Sequence, residues 1–218
     1  MSASHSKIKK LAGQILRDPF EINIAISKPA SGVKQGAFLI YEKDKLTLIK
    51  SLIRSNERFQ RILVFSSTKK KVRDIANELK NPDYNVEAIS SDLEQSERKE
   101  VVSRFKGNQI RVLVATDVMS RGIDIKDIDL VINYDVPKDA EDYVHRIGRT
   151  ARAKAQGVAL TFINERETME FMNIEKLIEN EVVKIPLPEK LGKGPEYKVN
   201  ARSQYRKKYS GKSRGKRK

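Results

Sequence analysis

The stretch IRVLVATDVMSRGIDI, residues 110–125, carries the pattern on which the predicted fold depends. An apolar run that ends at Ala115 is followed directly by polar side chains and a glycine. Runs that are apolar at consecutive positions are typical of strands covered by helices on both faces, as in a parallel sheet. Ligands of such sheets bind beyond the carboxyl ends of the strands, so the polar residues after Ala115 are candidates for a binding loop.

Similar apolar runs recur along the chain and alternate with helical patterns. Residues Leu46, Ile49, Leu52 and Ile53, for example, repeat with helical spacing after an apolar run at 37–41. The remaining strands are predicted at 61–66, 85–90, 110–116, 129–135 and 157–163, and the helices at 43–53, 70–80, 94–106 and 167–180. This alternation predicts an α/β protein with a parallel sheet flanked by helices.

The predicted core domain occupies residues 37–185, and three segments lie outside it. The pattern of residues 1–27 predicts one helix and a short strand. Residues 28–36 contain a proline and two glycines and read as a linker. Residues 186–218 begin with prolines that end the last helix, and they continue as a low-complexity basic tail.

Composition limits the class of protein. A chain of 218 residues is long enough for one full domain with appendages. The absence of cysteine excludes disulfides and thiolate metal sites, and two histidines leave little for a zinc site. No apolar run approaches the ~20 residues that span a bilayer, and the N-terminus lacks the apolar core of a signal peptide. We therefore expect a soluble, cytoplasmic protein with no membrane partner.

Most of the positive charge lies at the C-terminal end. Residues 190–218 contain twelve Lys or Arg and one acid, so they carry +11 of the net charge of +15. This charge implies a polyanion partner, and Tyr197, Tyr205 and Tyr209 could stack on bases, which favours nucleic acid. We expect the tail to be disordered on its own because it has few apolar side chains. The alternative is a solubilising tail with no defined partner.

The loop after the strand at 110–116 has the groups that bind a nucleotide or a nucleic-acid backbone. Thr116 and Gly122 offer a hydroxyl and backbone N–H groups to phosphate oxygens, and Asp124 offers a carboxylate to a sugar hydroxyl. An alternative reading of Asp117 is the N-cap of a helix. That alternative leaves the Arg-Gly-x-Asp sequence unexplained.

A row of arginines forms the second candidate feature. The stretch VHRIGRTARA, residues 144–153, places Arg146, Arg149 and Arg152 at intervals of three. On a helix or tight turn this spacing brings three like charges to nearly one face. The row therefore either faces an anion or is a solvated basic face.

Taken together, the segments resemble the motifs of the DEAD-box RNA helicases. Residues 112–125 resemble motif V, 143–153 motif VI and 62–72 motif IV, while Gln95 and Arg98 match the Q-x-x-R element. The chain departs from the family in having Ser90-Ser91 for His-Gly, Ser120 for Ala in Ala-Arg-Gly, and Ala151 for Gly in Thr-Gly-Arg. The resemblance covers roughly residues 30–185 and implies a RecA-like C-terminal helicase domain.

The resemblance extends to the start of the chain. Residues 2–4, Ser-Ala-Ser, resemble motif III at the end of the first helicase domain, so we expect the chain to begin inside that domain. Neither the phosphate-binding loop G-x-x-x-x-G-K-[ST] nor the Asp-Glu-Ala-Asp sequence occurs in the 218 residues. The implied cofactor is ATP with Mg²⁺, and both would be held mainly by the first RecA-like domain, a partner of this chain.

The resemblance also implies roles for individual residues. Arg149 and Arg152 would be arginine fingers toward ATP, Asp124 would bind the ribose, and His145 would contact the first domain. Arg146 belongs either to this interdomain group or to a structural ion pair with Asp117 or Asp124. The implied RNA contacts are Thr68, Lys69, Gln95, Arg98, Thr116 and Gly122. The alternative for Lys69 is an exposed lysine at the start of a helix.

The function that follows is local unwinding of RNA, single-stranded or in a short duplex, by the C-terminal half of an ATP-dependent helicase. Such a half alone is expected to be inactive as an ATPase. Two other readings remain: a chain that acts only as an RNA-binding module, and a helicase that acts on DNA. The HRIGR and ARGID-like sequences argue against DNA.

Overall fold

The computed structural model describes residues 32–117, 127–150 and 157–198, and these residues contain a seven-stranded sheet. Its order is β3-β4-β2-β5-β6-β1-β7, and every strand pair is parallel. The strands are β1 Val33–Leu39, β2 Ile62–Phe65, β3 Val86–Ile89, β4 Val112–Ala115, β5 Leu130–Asn133, β6 Gly157–Ile163 and β7 Val183–Lys184. The predicted parallel α/β fold is confirmed, and β7 is an addition to it.

Five α-helices connect the strands in the described residues. They are α1 Lys45–Arg54, α2 Lys69–Leu79, α3 Gln95–Lys106, α4 Ala140–Ile147 and α5 Thr168–Ile178. Short 3₁₀ helices occupy Glu42–Asp44, Gly148–Thr150 and Glu189–Leu191. Helix α4 was not among the predicted helices, although the arginine spacing in this stretch had indicated a helix or tight turn.

The helices cover both faces of the sheet because successive strand residues point to opposite sides. In β2, Ile62 and Val64 join the core formed with α1 and α2, whereas Leu63 and Phe65 join the core formed with α3, α4 and α5. All four side chains are fully buried. This double coverage explains why the strands are apolar at consecutive positions.

The domain boundaries differ from the predicted ones at both ends. Strand β1 begins at Val33, inside the predicted linker 28–36, and pairs with β6 along its whole length. At the other end, residues 186–198, assigned to the tail, pack on the domain. Pro195 is buried, and Gly194 lies so close to β1 that a Cβ there would be 1.8 Å from the Leu39 carbonyl oxygen.

Tyr197 fixes the end of this packed segment. Its ring meets that of Phe171 edge to face at 6.4 Å, and its hydroxyl donates to Glu175. The ammonium of Lys184 lies 4.3 Å from the centre of the Tyr197 ring and 2.5 Å from the Glu175 carboxylate. Apolar contacts and a hydrogen bond thus hold Tyr197 against α5, so this residue belongs to the packed domain and not to the tail assigned from the sequence.

The predictions for residues 1–27 and 199–218 concern residues outside those that the structure describes. Among the helices that the structure describes, none combines the length and the apolar character required to cross a membrane.

Candidate functional site

The strand ends of the central sheet align at one edge, which we call the carboxyl edge. Phe65 of β2 is in register with Ala115 of β4 and Asn133 of β5, and Ala115 is in register with Ile89 of β3. Thr68, Thr116 and Gln95 follow the ends of β2, β4 and β3. The structure thus brings the described RNA-binding candidates to three adjacent strand ends.

The start of α2 carries the candidates Thr68 and Lys69. Thr68 is the N-cap, and its hydroxyl accepts a hydrogen bond of 3.2 Å from the backbone N–H of Lys71. Lys69 and Arg73 pair with Asp92 at 2.6 Å and 3.3 Å, which lowers the pKa of that exposed carboxyl. Exposed pairs are weak, so an incoming phosphate can compete for Lys69 at this helix N-terminus.

Gln95 and Arg98 lie in the first turn of α3. This helix begins with a capping box in which Glu94 and Glu97 each accept from the other's backbone N–H. Gln95 is exposed. Arg98 is partly buried and donates to the Leu93 carbonyl at 3.2 Å, while its Nε makes no hydrogen bond within the residues that the structure describes. Arg98 therefore holds the loop before α3, and its Nε–H is a donor that a ligand could use.

Asp135, which follows β5, is the centre of a polar network at the carboxyl edge. Its Oδ2 accepts from the Ser66 hydroxyl at 2.7 Å and from the Ser67 backbone N–H at 2.8 Å. Its Oδ1 accepts from Lys71 at 2.8 Å. Burial raises the pKa of Asp135, but these hydrogen bonds and the charge of Lys45 outweigh it and hold the pKa well below its usual range. The carboxylate is therefore ionised at neutral pH.

Lys45 is a fully buried lysine in the same network. Its ammonium donates to the Tyr134 carbonyl at 2.8 Å and to Glu167 at 3.1 Å, and lies 2.9 Å from Glu42. Burial raises the pKa of Glu167 despite this neighbour. Burial also raises the pKa of Glu42, but hydrogen bonds from Lys71 and the charge of Lys45 bring it below the usual value. Each buried charge thus has partners of opposite sign, as burial requires.

Arg146, the first arginine of the row, is a structural partner. Only 2% of it is exposed, and its guanidinium makes a bidentate contact with Asp117 at 2.5 and 2.8 Å. It also donates to Asn133 Oδ1 at 3.2 Å and to the Asp135 carbonyl at 2.8 Å. Of the two readings of Arg146, the ion pair with Asp117 is the one the structure contains.

Of the remaining candidate residues in this stretch, the structure describes His145 and Arg149. His145 is a partly buried residue of α4, and Arg149 is a partly buried residue of the 3₁₀ turn Gly148–Thr150. The backbone carbonyl of Arg149 accepts from Ile128 at 3.2 Å. The predictions for Gly122, Asp124 and Arg152 concern residues outside those that the structure describes.

A cleft of about 580 Å³ joins these features. It opens between the start of α2 and the loops that precede α4 and α5, and its lining includes Thr68, Lys71, Asp117, Asp135 and Arg146. Groups of both charge signs face it. In the described part of the chain, no group of three or more His, Cys, Asp or Glu residues is arranged to hold a metal ion.

Sequence reasoning missed Asp135 and the lysine network. For Lys45 a signal existed, because it lies three and four residues before Leu48 and Ile49 and so falls on the apolar face of α1. A charge at such a position indicates a buried ion pair. Asp135 had no comparable signal, since acidic residues commonly follow strands.

Comparison with known proteins identifies the family. Residues 44–154 match the helicase conserved C-terminal domain. The DEAD-box ATP-dependent RNA helicase 40 of Oryza sativa subsp. japonica is 37% identical over 83% of this chain. The match covers 23% of that helicase, so this chain spans about a quarter of the relative's length.

Two solved structures share the fold. A DEAD box protein from Methanococcus jannaschii matches with a TM-score of 0.65 and 36% identity over 83% of this chain and 48% of that one. S. cerevisiae Dbp5, bound to RNA and ADP BeF3, matches with a TM-score of 0.73 and 27% identity over 83% of this chain and 49% of its own. This chain therefore belongs to the helicase C-terminal domain family and is a RecA-like C-terminal domain of the DEAD-box RNA helicases.

Proposed function

We propose that this chain supplies the C-terminal half of the ATP site and half of the RNA-binding surface of an ATP-dependent RNA helicase. The observation that carries the proposal is the convergence of Thr68, Gln95 and Thr116 on one edge of a helicase-family sheet. In the whole enzyme, ATP and RNA would close the two domains on each other. Closure would bend one strand, separate a short duplex and be released after hydrolysis.

On the ATP side, Arg149 and Arg152 act as arginine fingers. Negative charge spreads over the γ-phosphate oxygens in the transition state of phosphoryl transfer, and an arginine placed there contributes about 10³- to 10⁵-fold in rate. Support comes from the position of Arg149, one turn after Arg146, whose buried ion pair fixes the end of α4. Asp124 binds the ribose, and His145 contacts the first domain.

The described residues fit a role opposite the triphosphate, because arginines meet phosphate charge. Mg²⁺, which neutralises charge on the phosphates when bound, and the triphosphate itself are assigned mainly to the first RecA-like domain, as the family resemblance implies. In that arrangement this chain completes the ATP site from the opposite side.

On the RNA side, Thr68, Lys69, Thr116 and Gly122 contact phosphates, and the α3 start with Gln95 and Arg98 extends the surface. Hydroxyls, backbone N–H groups and a lysine at a helix N-terminus are the groups that bind a nucleic-acid backbone without reading sequence. The basic tail adds counterion release, which is equally independent of sequence. S. cerevisiae Dbp5, a related protein, has been solved with RNA bound.

A second candidate is that the chain acts only as an RNA-binding module. The observation that favours it is the charge of +11 in residues 190–218. Both candidates predict RNA binding. They differ in whether ATP hydrolysis appears when a first helicase domain is supplied.

The test is phosphate release with saturating single-stranded RNA, measured for the 218-residue chain alone and then with a matching first domain. We expect no turnover by the chain alone and RNA-stimulated turnover with the first domain. Turnover by the chain alone near 1 s⁻¹, at the low end of ordinary enzymes, would contradict the shared ATP site. No turnover with a first domain that binds ATP would favour the RNA-binding module.

A further inference from the structure

Two loops at the carboxyl edge, Ser66 to Thr68 and Thr116 to Asp117, are tied to one buried residue that no motif assigns. We infer that Asp135, acting with Arg146, is the positioning unit that sets the spacing between these two RNA-binding loops. This inference rests on the proposed function, because it takes Thr68 and Thr116 as RNA contacts.

The Asp135 carboxylate holds the first loop on both sides of Thr68. Before Thr68, it accepts from the Ser66 hydroxyl at 2.7 Å and the Ser67 N–H at 2.8 Å. After Thr68, it accepts from Lys71 in the first turn of α2 at 2.8 Å. The Thr68 hydroxyl accepts from the Lys71 backbone N–H, so the loop and the helix start form one unit.

The Asp135 backbone connects this unit to the second loop. Its carbonyl accepts from Arg146 Nη1 at 2.8 Å, and the same guanidinium grips Asp117 with two hydrogen bonds. Asp117 directly follows Thr116. One residue therefore fixes Thr68 through its side chain and Thr116 through its carbonyl and Arg146.

Asp135 is placed to position the loops, since it is itself only 3% exposed. A bound strand that contacts both loops needs them at a fixed separation, and binding sites need their groups held to within about 0.5 Å of the productive geometry. Buried partners with several hydrogen bonds supply that precision. The cleft lined by Thr68 of the first loop and Asp117 of the second also has Asp135 and Arg146 in its lining.

The chain offers a matched control at the opposite end of the same strand pair. Asp129 directly precedes β5, and its Oδ2 accepts from the backbone N–H groups of Gln60 and Arg61, both at 2.9 Å. It therefore binds the chain entering β2, as Asp135 binds the chain leaving β2. Asp129→Asn removes a similar carboxylate far from the RNA loops.

The experiment follows backbone amide signals of the isotopically labelled 218-residue chain by NMR during titration with a short single-stranded RNA. Signals at Thr68 and Thr116 report the affinity of the loops separately from that of the basic tail. We expect Asp135→Asn to weaken binding at these amides roughly tenfold, and Asp129→Asn to leave it within about twofold. Ser66→Ala, which removes one hydrogen bond and keeps the charge, should weaken it about fivefold.

Binding at Thr68 and Thr116 that is equal in Asp135→Asn, Ser66→Ala and Asp129→Asn overturns the inference. If Asp135→Asn does not fold, the comparison of Ser66→Ala with Asp129→Asn decides. Thr68→Ala and Thr116→Ala test the RNA site itself. If these two variants weaken RNA binding and the Asp135 and Ser66 variants do not, the positioning role of Asp135 is wrong and the RNA site is still supported. If Thr68→Ala and Thr116→Ala bind RNA like the parent, both the RNA site and the positioning role are wrong.

Discussion

Replacing Arg146 by alanine tests the main structural contact in the arginine row. The guanidinium is buried, pairs bidentately with Asp117 and donates to Asn133 and to the Asp135 carbonyl. It also lies over the Phe65 ring, 5.1 Å from its centre. Alanine removes all of these contacts, including both hydrogen bonds to the Asp117 carboxylate.

The expected loss of stability follows from these contacts. Removing one partner of a buried ion pair lowers the free energy of unfolding by about 3–5 kcal/mol. We expect a value near the lower end of this range for Arg146, because 27% of the Asp117 side chain is exposed and can be hydrated. The two lost hydrogen bonds to neutral acceptors add about 1 kcal/mol each, part of which water restores. We therefore expect the free energy of unfolding to fall by about 4 kcal/mol, or Tm by about 8–16 °C in a domain of this size.

The assay is urea unfolding monitored by circular dichroism, with an unchanged denaturant slope as the check that the native state is intact. Arg104→Ala is the control, since Arg104 pairs with Glu87 at 3.2 Å while 36% of its side chain is exposed. Such an exposed pair contributes less than about 1 kcal/mol. If Arg146→Ala loses no more stability than Arg104→Ala, the reasoning about the buried pair is wrong.

Three further predictions follow from the packed C-terminal segment and from the buried carboxylates. A chain ending at Lys198 loses nine Lys or Arg but keeps the packed segment, so the slope of log RNA affinity against log salt should flatten by several units, at about 0.7 per phosphate for single strands; equal slopes would show that the tail does not hold RNA. Tyr197→Ala should lower the free energy of unfolding by about 1–2 kcal/mol and Tyr197→Phe by less, as measured in urea; no loss in either variant would mean that the contacts of Tyr197 do not stabilise the domain. The pKa values of Asp135 and Glu42 are lower in the folded chain than in the unfolded chain, so the unfolded chain binds more protons in acid and stability is lost as pH falls below about 4. The raised pKa of Glu167 has the opposite effect on stability. Asp135→Asn should flatten that acid loss by on the order of 1 kcal/mol or more, and parallel stability profiles of the variant and the parent between pH 7 and pH 3 would refute it.

The sequence predicts the sheet well because burial on both faces leaves a clear local pattern. Residues such as Val112 to Ala115 are apolar at each position, and the structure shows β4 buried throughout. The helices that follow were found by their apolar spacing, as for Val72, Ile75 and Leu79 of α2. Helix α4 was harder, since its buried face includes the charged Arg146 and so breaks the apolar pattern.

The partners within the polar network and the C-terminal boundary could not be predicted, because they depend on contacts between residues far apart in the chain. Asp135 is held by Lys71, 64 residues earlier, and Tyr197 packs on Phe171 only because the chain turns back over the end of β1. Prolines and lysines in residues 186–198 look like linker by composition. Leu187, Leu191, Tyr197 and the close contact of Gly194 make the segment part of the domain.

The most direct test of the central claim is ATP turnover in a protein that joins this chain to a first helicase domain, measured with saturating RNA. Arg149→Ala and Arg152→Ala should each reduce turnover by at least about 100-fold, the effect expected of an arginine finger, while RNA affinity stays at the parent value. Arg104→Ala, on α3, should hydrolyse ATP like the parent. If Arg149→Ala also does so, the proposed role of Arg149 in ATP hydrolysis is wrong.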